Sequence, residues 1–217
     1  MSVRQVMLYT RFERFWHWTQ MLLIVALLFS GFAVHGFNPA LDFYNAVVLH
    51  TAGALALIVL WIFAIFWHLT TGNWRHYVPT ANGLWQVARF YAWGIFHGER
   101  HPYRKAYWRK HNPLQALSYL ALKLMLFPLI WATGLAYLFY SLWSAIPGAS
   151  TMLEGVALAH TLVAFAILAF IIIHVYLLTT GHSFAEHVKP MITGFDTVDL
   201  TPEEEAYLER DEPRHIR

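Results

Sequence analysis

Four long apolar runs constrain what this chain can fold into. They cover residues 15–34, 46–69, 113–140 and 155–179. A helix rises about 1.5 Å per residue, so each run is long enough to cross the hydrocarbon core of a bilayer, which is about 30 Å thick. Non-helical backbone is unstable against lipid because its polar groups lack hydrogen-bond partners. We therefore predict an all-α integral membrane protein whose residues 1–190 form a four-transmembrane-helix bundle.

The composition favours the same class of protein and narrows its chemistry. Charged residues make up 13% of the chain, whereas about 25% is usual for a soluble domain. The sequence contains no cysteine, which excludes disulfides, thiolate-bound iron–sulfur clusters and covalently attached c-type haem. Any redox cofactor must therefore be held through nitrogen or without a covalent bond. The 13 histidines are the obvious ligands.

Positive charge is distributed unevenly among the loops. The two short connections, residues 35–45 and 141–150, contain no lysine or arginine, whereas the N-terminal arm, the long second loop and the C-terminal tail each carry several. Cytoplasmic loops are enriched in these residues. We therefore expect both termini and the second loop to be cytoplasmic, in the inner membrane of a bacterium.

Three further expectations concern the segments at and outside the spans. Residues 82–97 of the second loop are apolar and aromatic, which predicts an interfacial helix on the cytoplasmic face. Residues 191–217 form a charged cytoplasmic tail, which we expect to be extended or disordered unless a partner holds it. The first apolar run is longer than the hydrophobic region of a signal peptide, so we expect it to be retained.

Two histidines, His160 and His174, lie inside the fourth apolar run. Ionisable side chains are costly within a bilayer and are candidates for functional sites. Their separation of 14 residues places them about 40° apart around a helix and about 21 Å apart along it. Two haems stacked across the membrane, each bound by one of these imidazoles, would account for both positions. The alternative is two unrelated histidines, each hydrogen-bonded to a neighbouring helix.

Other spans contain histidines at matching depths. His50 opens the second run near the periplasm, at the level of His160, and either His17 or His68 could face His174 near the cytoplasm. His50 and His68 are 18 residues apart, about 27 Å along a helix. If His50 pairs with His160, His68 lies about 6 Å too far toward the cytoplasm. Depth therefore favours His17 modestly.

Two small residues lie on the same helical faces as these histidines. Gly31 is 14 residues beyond His17, and Ala64 is 14 residues beyond His50. They could leave room for a porphyrin edge, or they could reflect the close helix packing that small residues allow in membranes. Both interpretations stay open at this point.

Together these residues resemble the di-haem cytochrome b subunits of respiratory formate dehydrogenases, nickel–iron hydrogenases and thiosulfate reductases. The resemblance covers all four runs. It rests on an Arg-x-x-His-Trp pattern at residues 14–18, on His50, and on the 14-residue pair in the fourth run. The stretch "HYVPT…FYAWGIFHGERHP…NPLQ" is most similar to the thiosulfate reductase type.

The resemblance implies two b haems and their axial ligands. The cytoplasmic haem would be bound by His17 and His174, and the periplasmic haem by His50 and His160. These pairs agree with the depth comparison. His68 would then be an interfacial histidine, hydrogen-bonded to lipid headgroups, to water or to a haem propionate.

The resemblance also implies a quinone site beside the cytoplasmic haem, near the start of the third run. Asn112 and Gln115 lie there, and both amides can hydrogen-bond a quinone carbonyl. The quinone would be menaquinone or ubiquinone. Asn112 could instead cap the helix ahead of Pro113, and the two roles are compatible. Lys123 could reach the cytoplasmic surface, a haem propionate or a carboxylate of a partner.

These observations predict a membrane electron-transfer subunit that passes electrons between a periplasmic redox partner and the quinone pool. The expected partners are the lipid bilayer, quinone, and a periplasmic iron–sulfur or multihaem subunit with its catalytic subunit; we expect no nucleic acid. The chain would be a quinone-reactive part of an oxidoreductase complex and not an enzyme by itself.

Two other functions compete with electron transfer. A histidine-lined transporter or metal permease usually has carboxylates within its spans, and none of the four runs contains Asp or Glu. A cofactor-free membrane anchor leaves the histidines inside the spans unexplained.

Overall fold

The computed structural model describes residues 2–99, 101–103, 106–179 and 184–217. These residues form two compact units, Met1–Leu117 with Leu178–Arg217, and Ser118–Leu177. The named elements are β1 (Ser2–Met7), α1 (Arg11–Val34), α2 (Phe43–Thr71), α3 (Leu84–Ala92), α4 (Pro113–Leu138), α5 (Ala149–Leu178), α6 (Phe184–Thr193), β2 (Phe195–Leu200) and α7 (Pro202–Asp211).

Four of these helices, α1, α2, α4 and α5, are long and apolar enough to cross a membrane. The predicted fold class, an all-α membrane protein with four spans, is thereby confirmed. Large apolar side chains on these helices are exposed, among them Leu55, Val59 and Phe66 of α2. On a spanning helix such a face contacts lipid.

The helix ends are set by local capping. Thr10 and Glu13 form a reciprocal capping box: the threonine hydroxyl accepts from the Glu13 amide (3.3 Å), and the glutamate carboxylate accepts from the Thr10 amide (2.8 Å). Helix α1 therefore begins four residues before the apolar run. Asp42 caps α2 by accepting from the Asn45 amide, and α2 ends at Thr71, before Gly72, whose φ of 74° is left-handed.

Helix α4 contains a π-helical turn, Leu122–Leu126, in which the Phe127 amide bonds to the Leu122 carbonyl. Pro128 follows and has no N–H to donate. A π turn is one way for a helix to accommodate such an interruption of its bonding pattern. Lys123 lies within this turn.

The predicted interfacial helix corresponds to α3 and a following 3₁₀ turn, Gly94–His97. The two are separated at Trp93, whose backbone leaves the helical region. Trp85 and Trp93 are both exposed. The helix is therefore present, and its position at a membrane surface stays a prediction.

The expectation of an extended or disordered tail is wrong for residues 195–217. Strand β2 pairs antiparallel with β1, from Ser2 opposite Leu200 to Met7 opposite Phe195. Helix α7 follows directly and is capped by Thr201 and Glu204 in a second capping box.

A small apolar core holds this segment together. Its buried side chains come from β1, the residue after it, β2 and α7: Val6, Leu8, Val198, Leu200 and Leu208. The N-terminal segment supplies two of these five side chains, and the C-terminal segment accordingly belongs to the same compact unit as residues 1–117. Residue 190 is therefore not the boundary between a folded domain and a loose tail.

Candidate functional site

His50 is held by groups of the preceding helix. Its Nδ1 lies 3.1 Å from the Leu27 carbonyl oxygen and 3.1 Å from the Ser30 hydroxyl. A carbonyl can only accept, so Nδ1 carries the proton and Nε2 carries the lone pair. The Ser30 hydroxyl donates its own proton to the Ala26 carbonyl, 2.7 Å away, and so accepts from the imidazole.

The glycine beside that serine lies against the same ring. A methyl group built on Gly31 would lie 3.4 Å from Cε1 of His50. The small residue therefore gives room to the imidazole itself, which is a third role besides the two that the sequence left open. Ser30 is fully buried, so the hydroxyl and the ring meet inside the protein.

His160, in the other unit, has the same surroundings. Its Nδ1 lies 3.0 Å from the Thr133 hydroxyl of α4, and that hydroxyl donates to the Leu129 carbonyl at 2.7 Å. A methyl group on Gly134 would lie 3.3 Å from Cε1 of His160. Each unit thus contains a hydroxyl residue followed by glycine, which together contact a histidine on the next spanning helix.

Three of these residues, Ser30, Thr133 and Gly134, were not predicted from the sequence. The available signal was a polar residue followed by glycine inside two otherwise apolar runs. Such pairs are also common where helices simply pack closely. Only the contact with an imidazole distinguishes a pair that holds a histidine from a pair that merely allows close packing.

His174 lies on α5, the same continuous helix as His160. Its ring is stacked on Phe170, with ring centroids 6.1 Å apart and planes at 7°. Tyr119 of α4 contacts the same phenylalanine edge-on at 6.1 Å. Aromatic packing therefore holds this imidazole.

His17 lies on the first turns of α1, half-buried, with the Trp18 ring edge-on at 5.4 Å. The two motif residues that flank it bind the end of α6. Arg14 donates to the Ile192 carbonyl, and the Trp18 indole donates to the Met191 carbonyl at 2.9 Å. These carbonyls lie at a helix C-terminus, where the helix itself supplies no donor. The Arg-x-x-His-Trp pattern thus anchors α6 beside His17.

His68 is buried within the protein, and its expected place at the membrane interface stays a prediction. Its Nδ1 donates to the Ala64 carbonyl at 2.6 Å, and the rings of Trp16 and Tyr77 lie 5.2 and 5.3 Å away. Tyr77 belongs to a 3₁₀ turn, Asn73–Tyr77, that follows α2. The chain thus folds back over His68. The pairing of His17 or His68 with His174 stays a prediction.

Asn112 and Gln115 form a capping box at the start of α4. The Asn112 side chain accepts from the Gln115 amide (2.9 Å), and the Gln115 side chain accepts from the Asn112 amide (3.1 Å). Asn112 is buried, and its Nδ2 donates to the Tyr91 hydroxyl at 3.3 Å. Capping, the alternative role, is therefore present. These bonds leave Nε2 of Gln115 for another partner, and the quinone assignment stays a prediction.

A buried ion pair lies close to this cap in the chain. Lys110 and Glu13 are 2.9 Å apart, with side chains 6% and 7% exposed. The pair ties the segment before α4 to the start of α1. Burial and the charge of Lys110 lower the pKa of nearby His76 to about 4, so His76 is neutral at pH 7. Among the described residues, no group of three or more His, Asp or Glu side chains could hold a free metal ion.

Haem iron is bound by neutral imidazole nitrogen, and the histidines of both units fit this requirement. A proton on Nδ1, fixed by a hydrogen bond, leaves Nε2 to bind a metal. His50 and His160 each have this arrangement within an apolar helix. Haem b needs no cysteine, in agreement with a sequence that has none.

Comparisons with known proteins agree with this chemistry. The family described as Prokaryotic cytochrome b561 matches residues 8–194. YdhU of Escherichia coli (strain K12), provisionally named as a cytochrome, is 33% identical over 197 residues, which cover 88% of this chain and 74% of YdhU. No solved structure matches the chain. The chain therefore belongs to the prokaryotic cytochrome b561 family and is a membrane protein that transfers electrons through haem b.

Proposed function

We propose that this chain is a di-haem cytochrome b subunit that passes electrons between a periplasmic redox subunit and the quinone pool. The observation that carries the proposal is the matched set of contacts around His50 and His160, a buried hydroxyl at Nδ1 and a glycine at Cε1. When bound, haem b supplies reversible one-electron chemistry between ferric and ferrous iron.

Four histidines would hold the two haems in the pairs that the resemblance implies, His50 with His160 and His17 with His174. Hydrogen bonds orient the imidazoles of His50 and His160, and ring stacking orients that of His174. Burial and hydrogen bonds to the axial ligands are the means by which a protein sets haem potentials. The spacing of His160 and His174 on one continuous helix supports two separate sites.

Quinone would react on the cytoplasmic side, near the start of α4. Asn112 and Gln115 hold the backbone there, and the Nε2 group of Gln115 is the donor that a quinone carbonyl would meet. Protons would be exchanged with the cytoplasm. Electron flow from the periplasm would then build a membrane potential.

The proposed orientation places both termini in the cytoplasm of a bacterium, with the protein in the inner membrane. It rests on the lysine and arginine residues of the arm, the second loop and the tail. The pairing of β1 with β2 supports it, because it puts both ends of the chain on the same side. The periplasmic partner would be an iron–sulfur or multihaem subunit with its catalytic subunit, of the thiosulfate reductase type.

The haem content of the purified protein tests this function. Protein extracted from membranes and analysed by pyridine haemochrome should contain two b haems per chain, removable by acid acetone. The reduced-minus-oxidised spectrum should show low-spin b haem. A ratio near zero would favour a transporter or an anchor, and a ratio near one would contradict the di-haem proposal.

A further inference from the structure

We propose that Ser30 and Thr133 are positioning residues that lower the reduction potential of one haem by accepting hydrogen bonds from both of its axial histidines. The inference rests on the proposed function, because it takes His50 and His160 as the ligands of that haem. It adds two residues that act through the imidazoles.

The direction of the hydrogen bonds follows from counting protons. A hydroxyl has one proton, and in both places a backbone carbonyl one turn earlier lies 2.7 Å from the oxygen. That carbonyl takes the proton. The oxygen lone pairs then face Nδ1 of the histidine at 3.1 Å for Ser30 and 3.0 Å for Thr133. Each imidazole therefore donates and each hydroxyl accepts.

The effect on the metal follows from the same direction. A hydroxyl that donates to a carbonyl becomes a better acceptor, because consecutive hydrogen bonds polarise one another. Acceptance at Nδ1 raises the basicity of the imidazole at its metal-binding nitrogen. A more basic ligand stabilises ferric iron over ferrous iron and so lowers the potential. Both hydroxyls are buried, so water does not screen this interaction.

The contact recurs in two units that share none of its residues. Ser30 reaches His50 from α1 to α2, and Thr133 reaches His160 from α4 to α5. His174 differs: its contact is the stacked ring of Phe170, and no hydroxyl of the described residues lies within hydrogen-bond distance of it. Under the proposed function, the two hydroxyl-bonded histidines bind the same haem. We therefore expect the effect on one haem and not on both.

The test removes each hydroxyl with little change of volume. Ser30→Ala and Thr133→Val delete the acceptor, while Ser30→Thr and Thr133→Ser keep it. Thr70→Val is the matched control, because Thr70 donates to the Phe66 carbonyl at 2.9 Å on α2 but is exposed. Each variant is purified in detergent. Its haem content, redox titration and low-spin ferric EPR spectrum are compared with those of the unchanged protein.

We expect both haems to be retained and the potential of one haem to rise in Ser30→Ala and in Thr133→Val. The rise should be larger in the double variant and absent from Thr70→Val. Ser30→Thr and Thr133→Ser, which keep the hydroxyl, should have the potential of the unchanged protein. Two haems with unchanged potentials in every variant would overturn the inference and leave the proposed function intact. A chain that binds no haem at all would overturn the proposed function instead.

A variant that loses a haem also tests whether the hydroxyl group acts on the imidazole. Loss in Thr133→Val that Thr133→Ser restores would support the role of the hydroxyl. Loss that Thr133→Ser does not restore would be a packing effect and would overturn the inference. The same comparison applies to Ser30→Ala and Ser30→Thr.

Discussion

His50 and His160 are held by hydroxyl groups and lie against glycines, whereas His68 and His174 are packed among aromatic rings. A hydrogen bond at Nδ1 fixes the protonation state of an imidazole and the direction of its lone pair. His68 has such a bond too, but to the Ala64 carbonyl of its own helix, and the stacked ring of Phe170 restrains the plane of the His174 imidazole. His50 and His160 are instead held at Nδ1 by a hydroxyl of a neighbouring spanning helix, an arrangement that can tune a bound metal.

The histidines also differ in their positions along the helices and in the segments that contact them. The hydroxyl-bonded histidines are within spans and are contacted by other spans. His17 and His68 lie at helix ends, beside α6 and the 3₁₀ turn that follows α2. The extramembrane segments thus form part of the surroundings on that side. A ligand assignment there needs a direct test.

The largest expected effect is the loss of a haem. His17→Ala should remove the cytoplasmic haem or convert it to a high-spin form, whereas His68→Ala should leave two low-spin haems. The reason is that an axial bond is lost in the first case and a packing and hydrogen-bonding group in the second. Haem content and EPR spectra measure the contrast. The reverse result would make His68 the ligand, and its bond from Nδ1 to the Ala64 carbonyl would then orient it.

A smaller loss, confined to quinone turnover, is expected at the start of α4. The double variant Asn112→Leu with Gln115→Leu should block turnover and leave both haem spectra unchanged. Asn112→Asp with Gln115→Glu is the sharper variant, because a carboxylate pair keeps the capping box but removes the amide donors. It should also block turnover, in stopped-flow reduction by a quinol analogue. Normal kinetics in the Asp/Glu variant would leave capping as the only role of the two residues.

We expect a graded effect on haem binding from the two glycines that lie against His50 and His160. Gly134→Ala and Gly31→Ala place a methyl group 3.3 and 3.4 Å from an imidazole. Overpacking of this kind costs about 1–3 kcal/mol, and we expect it to weaken binding of one haem. Gly155→Ala is the control, because no neighbouring atom lies within 4 Å of the added methyl group. Equal haem retention in all three variants would show that the glycines do not crowd the rings.

The smallest effect on the haems is expected in the terminal module of β1, β2 and α7. Leu208→Ala removes a fully buried side chain from its core, which costs about 2–5 kcal/mol of local stability. The tail should become sensitive to protease while both haems are retained. Glu209→Ala, an exposed change on the same helix, should leave the tail resistant. Loss of a haem in Leu208→Ala would mean that the module supports the site near His17.

The extent of each span and the cap at the start of α4 could be predicted from the sequence, because both depend on residues that are neighbours in the chain. The four spans follow from apolar runs of sufficient length. The capping role of Asn112 followed from its place before Pro113. The tail was predicted wrongly, because its charged residues favour disorder when residues 191–217 are considered alone. Its partner strand lies almost the whole chain length away.

The sequence by itself therefore determined the class of protein, the number of spans and the positions of the histidines along them. The reason is that membrane insertion depends on the local hydrophobicity of a run, and helical rise and rotation convert residue spacing into distance. The tertiary structure alone decided which groups touch each imidazole: Ser30 at His50, Thr133 at His160 and Trp16 at His68. It also decided that the two ends of the chain fold together, because the pairing of β1 with β2 joins segments almost a whole chain length apart and no local pattern specifies it.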